Sequence, residues 1–211
     1  MWPDLPIAVD YDLPVPSLRP SIRIIHALEY SDRIYYFRLC PHIPESLLKV
    51  TVAAMQKPFH ALKFLSIHSS IGTPFLPDDF SGGSAPCLQE IHMHGISFPG
   101  LPTLLSSSRD LVNMYLYDIP PTEYISPVAM AVCLGELPRL KVLVIMFKPA
   151  IFCLDRIQPP PIIRAVLPAL TDFQFTGSSQ YMEALAVRID GSPQLNDIII
   201  SLMDPVSEFK L

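Results

Sequence analysis

The 211-residue sequence predicts an α/β solenoid, a single parallel sheet of stacked repeats with short helices or loops along its outer side. Three observations carry that prediction. An apolar L-x-x-L-x-L pattern recurs seven times: IYYFRL from Ile34, LKFLSI from Leu62, LQEIHM from Leu88, LVNMYL from Leu111, LKVLVI from Leu140, LTDFQF from Leu170 and LNDIII from Leu195. The steps between copies are 28, 26, 23, 29, 30 and 25 residues, about 27 on average. Four prolines (Pro86, Pro138, Pro168 and Pro193) each stand two residues before a motif leucine. The fourth and sixth motif positions are apolar in every copy, which in a strand places them on one face. This motif at this period marks an irregular leucine-rich repeat, here with about seven strands on a concave sheet and one domain over residues 1–211.

Taken in chain order, Trp2 to Val9 reads as one more, degenerate strand. Ser21 ahead of Ile22, Ile25 and Leu28 reads as the cap of a first helix. Glu45 to Met55 follows the Ile34 strand as a second helix, whereas Ile71 to Ala85, rich in Gly, Pro, Ser and Asp, predicts an irregular surface loop. A short helix ends at Ser106-Ser107-Ser108, a polar linker into the next strand. Ser126-Pro127 ahead of Val128, Met130, Ala131 and Leu134 pairs an N-cap serine with a proline in the first turn. Pro149 to Pro161 is expected to be an extended convex connection, Pro161 to Val166 a helix, and Ser179 the cap of the last helix. The four prolines should stop each preceding helix and deliver extended chain to the next strand. With no polar cap visible before Trp2 or after Ile200, the array reads as truncated at both ends.

Composition excludes several functions. Half the residues are apolar, yet the longest apolar run, Val142 to Phe147, is far short of the roughly 20 residues that cross a bilayer. No signal peptide is visible, so the expected compartment is cytoplasm or nucleus. A net charge of −5 with scattered basic residues argues against nucleic acid. Cys40, Cys87, Cys133 and Cys153 form no C-x-x-C pair and are expected to be free, mostly buried thiols. No nucleophile elbow, phosphate loop or H-E-x-x-H motif is present, so no enzyme, catalytic residue or cofactor is expected. Asp78-Asp79 reads as a solvated turn.

The odd motif positions should face outward on the concave sheet. Lateral stacking would then gather Tyr36, Phe64, His68, His92, His94, Tyr115, Tyr117 and Met146 into one aromatic-rich patch. Such patches are typical of protein-binding surfaces, so an unidentified protein partner is expected there. His92-x-His94 beside His68 has the alternation of a zinc site, but only Glu90 is placed to complete a ligand set. Surface histidines are the favoured reading, with no metal.

Several blocks resemble a known family. They are the Trp2-Pro3 start with Leu5-Pro6-Ile7, Gly83-Ser84-Ala85-Pro86-Cys87-Leu88-Gln89-Glu90-Ile91, and Leu101-Pro102-Thr103-Leu104-Leu105-Ser106. Ile119-Pro120-Pro121-Thr122-Glu123-Tyr124-Ile125-Ser126-Pro127 and Leu137-Pro138-Arg139-Leu140-Lys141 join them. Together they resemble the repeat region of fungal F-box-like leucine-rich-repeat proteins. The resemblance implies a substrate-recognition domain of a ubiquitin ligase adaptor. No helical F-box precedes Trp2, so binding of a Skp-type adaptor is not expected from this chain alone. The Asn or Cys that typical repeats place after the strand is replaced by His42, Ser70, Ile96, Ile119, Lys148, Ser178 and Met203, which predicts irregular turns. Two other readings remain open: a degenerate or partial gene product without independent activity, and a small α/β hydrolase, which would need a nucleophile motif.

Overall fold

The computed structural model describes residues 5–11, 19–40, 43–69, 76–120, 125–148 and 164–203, with only the backbone described over 19–23. Among these residues the strands are β1 (Ile7–Tyr11), β2 (Ile34–Leu39), β3 (Phe64–His68), β4 (Glu90–His94), β5 (Asn113–Ile119), β6 (Val142–Phe147), β7 (Ala165–Val166), β8 (Asp172–Gly177), β9 (Ile189–Asp190) and β10 (Asp197–Leu202). β7 and β9 pair only with each other. The other eight form one parallel sheet in the order they occur in the chain. The protein is thus α/β with a large parallel sheet, one strand larger than the seven motif copies because β1 joins its edge.

Parallel neighbours need a crossover of a dozen or more residues, and the intervals between motif copies supply it. In doubly wound sheets the strand order reverses and both faces are covered. Here the order never reverses. Motif positions four and six are buried from β2 to β6, while positions three, five and seven stay half-buried, Val144 excepted. The helices α1 (Arg19–Leu28), α2 (Glu45–Ala54), α3 (Leu101–Ser107), α4 (Pro127–Gly135) and α5 (Ser179–Ala186) therefore cover one face and leave the other open. α1 packs beside α2, α3 beside α4, and α4 beside α5. One continuous core joins Leu28, Leu48, Leu104, Leu134 and Leu185 of the helices to Phe37, Leu65, Ile91, Met114 and Leu143 of the strands. Each such side chain, taken fully from water, contributes about 1.5–3 kcal/mol.

The entrance to each strand repeats one hydrogen-bond pattern. The motif leucine donates its N–H to the carbonyl three residues earlier: Leu62 to Phe59, Leu88 to Ala85, Leu111 to Ser108, Leu140 to Leu137, Leu170 to Leu167 and Leu195 to Ser192, at 3.0–3.4 Å. That closes a β-turn whose second residue is Pro86, Pro138, Pro168 or Pro193 in four copies, where the fixed φ of proline is already correct. These prolines therefore make tight turns and do not simply pass extended chain to the strand. The next carbonyl then takes two bonds from the following repeat. Lys63 O accepts from Gln89 N (2.8 Å) and Glu90 N (3.0 Å), and Gln89, Val112, Lys141 and Thr171 repeat the arrangement.

Helix starts follow local chemistry. Ser126 Oγ accepts from Ala129 N at 3.2 Å with Pro127 in the first turn, as expected. At α5 the cap is Ser178, not Ser179; its Oγ accepts from Tyr181 N at 3.2 Å. Ser21 is not a cap either, since α1 begins at Arg19. Ala165–Val166, expected to be helical, is strand, held by Ala165 N to Arg188 O and Leu167 N to Asp190 O. The partner strand Ile189–Asp190 accounts for that, with β-branched Val166 suited to it. The stretch before β4 is not a surface loop throughout: Leu76, Phe80 and Ala85 are buried, and a 3-10 turn at Phe80–Gly83 packs under α3. Asp78 and Asp79 are exposed in a turn. Ser107 and Ser108 are not a solvated linker: Ala85 N donates to Ser107 Oγ (3.0 Å), and Ser108 Oγ donates to Ala85 O (3.1 Å). Residues 149–163, with Cys153 and the expected convex connection, lie outside the described residues, as do Trp2, His42 and Ser70.

At the far edge the expectation of a buried face fails. Ile198 and Ile200 occupy positions four and six of β10 yet are 55 % and 45 % exposed. No helix among the described residues follows β10 to cover them.

Candidate aromatic face

The open face of the sheet takes its character from register. Tyr36 pairs with Phe64, Phe64 with Glu90, His92 with Tyr115, His68 with His94 and His94 with Tyr117. Neighbouring strands lie about 4.8 Å apart, so rings at equivalent positions meet at stacking distance. Tyr36 lies flat on Phe64, with centroids 4.5 Å apart and planes at 6°. Glu90 holds the next place in that row, so the ring contact steps diagonally from Phe64 to His92 at 5.4 Å. His92 stacks on Tyr115 at 4.3 Å. A second row runs from His68 to His94 at 3.8 Å and on to Tyr117 at 5.9 Å. Tyr115 and Tyr117, two residues apart on β5, join the rows at 6.1 Å.

Seven of the eight expected residues are thus assembled into one patch across four strands. Met146 is set apart. It shares the face and pairs with Thr176, but a bulge separates β5 from β6 after Leu116, where Asp118 adopts φ 50°. Bulges bend a strand and re-aim its side chains. On β6 the face carries Val142, Val144 and Met146 in place of rings, β8 beside it carries Asp172, Gln174 and Thr176, and Val144, expected to face outward, is buried.

Polar groups fix the rings. His92 Nε2 donates to Glu90 Oε1 at 2.6 Å, and Asn113 Nδ2 donates to Glu90 Oε2 at 3.1 Å. An ionised carboxylate only accepts, which sets the His92 tautomer. His94 Nε2 lies 3.5 Å from Asp118, while His94 Nδ1 is buried with no hydrogen-bond partner among the described residues. At the β1 side Arg38 holds Asp10 with two bonds, 2.8 and 2.9 Å. Glu90, singled out from the sequence only as a possible metal ligand, completes the surface together with Asn113 and Asp118, which were not singled out. The Glu90-x-His92 alternation was a readable sign of the first; the Asp118 bulge has no sequence signal, because a left-handed aspartate looks like any other. Among the described residues no three His, Cys, Asp or Glu side chains are placed to hold a metal ion. His92 is engaged by Glu90, and the rings of His68 and His94 face each other.

Burial raises the phenol of Tyr117, and burial followed by the charges of Glu90, Tyr117 and Asp172 raises that of Tyr115. Both stay protonated donors at neutral pH. Unfolded tyrosine ionises near 10, so a raised folded value means stability is full below that pH and falls as pH climbs through the folded value. An ultraviolet absorbance titration should therefore find Tyr115 and Tyr117 among the late-ionising tyrosines, identified with Tyr115→Phe and Tyr117→Phe. Glu90→Gln should move Tyr115 back toward 10; an unchanged curve would refute the assigned electrostatics.

The cysteines need correction. Cys133 is buried in α4, and burial pushes its thiol up to about 11. Cys87 is exposed and Cys40 half-buried, so buried thiols are not the rule among the described residues. No described helix is long and apolar enough to cross a membrane. No protein-family model, curated protein or solved structure matches the chain.

Proposed function

We propose that the chain is a non-catalytic protein–protein interaction domain, an irregular leucine-rich-repeat solenoid that takes a protein partner on its open sheet face. Its compartment is the cytoplasm or nucleus. The sequence blocks from Gly83 to Ile91 and Leu137 to Lys141 further favour a role like that of the substrate-recognition repeats of F-box-like ubiquitin ligase adaptors. Strand order equal to chain order, repeated entry turns and cover on one face all support the solenoid reading.

One observation carries the binding reading: the pre-stacked rings from Tyr36 to Tyr117 on a face that no described helix covers. Rings held by their neighbours lose little rotamer freedom on binding, so more of the contact energy appears as affinity. The test is affinity capture with the 211-residue chain, compared with a Tyr115→Ala/Tyr117→Ala double variant of matched melting temperature. Specific partners should bind the variant about 30-fold or more weakly, as for loss of an aromatic hot spot worth about 2 kcal/mol. Equal affinity for every captured protein would remove this face from the binding role.

A further inference from the structure

The edge strand β10 has the features of an unfinished interface. Among the described residues it pairs with β8 alone, on one side. Ile198, Ile200 and Leu202, 55 %, 45 % and 53 % exposed, form a continuous apolar strip on one face of the strand, and Ile199, 45 % exposed, stands between Asp197 and Ser201 on the other. Edge strands are normally protected by lysines, prolines, bulges or a covering element. Among the described residues β10 has none of these, and its sole charge is Asp197 at its first residue.

We propose that β10 pairs antiparallel with β10 of a second copy, making a symmetric dimer with one sheet continuous through both chains. A two-fold axis normal to the sheet keeps the open faces together, so paired residues must share a face. With the axis through Ile200, Ile200 meets itself and Ile198 meets Leu202 of the partner, aligning every apolar residue of the covered face. Ile199 meets Ser201 on the other face. The two Asp197 carboxylates fall at opposite ends of the pair. A parallel pairing of the same two edges would need a two-fold axis along the strands, which turns the faces over and sets the open face of one copy beside the helix-covered face of the other. The β1 edge of another copy fits worse: continuing the sheet's register would set Asp10 against Ile199, and Val9 is already buried. Such an isologous contact closes after two copies.

Sedimentation equilibrium of the 211-residue chain tests this. The expected mass is twice 23.6 kDa. Ile200→Lys, a substitution at an exposed position, should return it to 23.6 kDa with the circular dichroism of the sheet retained. Ile200→Cys in a Cys87→Ser background should form an intermolecular disulfide on oxidation, because a residue on the axis faces its own copy. Ile198→Cys, which faces Leu202, should cross-link far less. A monomeric wild-type chain would overturn the proposal, as would open-ended growth, an unchanged dimer in Ile200→Lys or equal cross-linking at the two cysteines.

Discussion

Gly95→Ala is expected to lower folding stability by about 3 kcal/mol, a sum of left-handed backbone strain and a backbone clash. Gly95 leaves β4 at φ 65°, and a Cβ there would stand 2.5 Å from the carbonyl oxygen of Ser69. That oxygen cannot retreat cheaply. Ser69 donates its own N–H to His94 O at 3.0 Å, and Gly95 N donates to Tyr117 O at 2.9 Å, so three successive repeats are tied together at this point. Relief of the clash would have to part β3 from β4 or β4 from β5. Urea denaturation should report a lower midpoint at an unchanged slope. A change within about 0.5 kcal/mol, the range of an ordinary surface substitution, would refute the assigned geometry. His94 precedes Gly95, so the His68–His94 ring contact should loosen in the same variant.

Phe175→Ala should cost about 3–5 kcal/mol, the range for deleting a fully buried ring. Phe175 has no exposed surface and lies between Phe147 of β6, at 6.0 Å, and Tyr181 of α5, stacked at 5.9 Å. Tyr181 donates its hydroxyl to Ile125 O at 2.8 Å, immediately before the cap of α4. One ring thus supports two strands and two helices. A small cavity of about 30 Å³, lined by Ile96, Ile119, Phe147 and Tyr181, already lies beside this cluster. The void left by alanine would add to that space. Phe175→Leu should cost well under half as much, because the isobutyl group refills most of the space. Calorimetry or denaturant unfolding checks both; a Phe175→Ala loss below about 1 kcal/mol would mean that the cluster collapses freely around the gap.

The strands were legible because their signal is chemical and periodic. Phe37 and Leu39, Leu65 and Ile67, Met114 and Leu116 sit on one face for the reason the motif gives: alternate residues of a strand point the same way. The ring patch followed from the same parity, since Tyr36 and Phe64 could be placed side by side from motif position alone. What escaped depended on tertiary context. Ala165–Val166 became strand because Ile189–Asp190 offered it a partner, information that lies 24 residues away. Asp118 took a left-handed turn through the surrounding register, and that turn set Met146 apart from the rings. Ile198 and Ile200 carry the core pattern but are exposed, with no described helix over them, and the alternation of a strand does not say which layer will pack on it. The proline rule located the turns correctly while misreading their form, because a residue that ends helices also favours the second position of a β-turn.

The recurring entry turn has a consequence for how this chain tolerates change. Segments between strands differ in length by up to seven residues and range from helix to 3-10 turn, yet the strands enter the sheet in phase. Each turn and the two-bond carbonyl beside it re-synchronise the chain with the preceding strand, so a length error made behind the sheet is cancelled before the next strand begins. Insertions there should leave the pitch of the open face unchanged, whereas a single residue added between the turn and the strand would put that strand's own rings out of step.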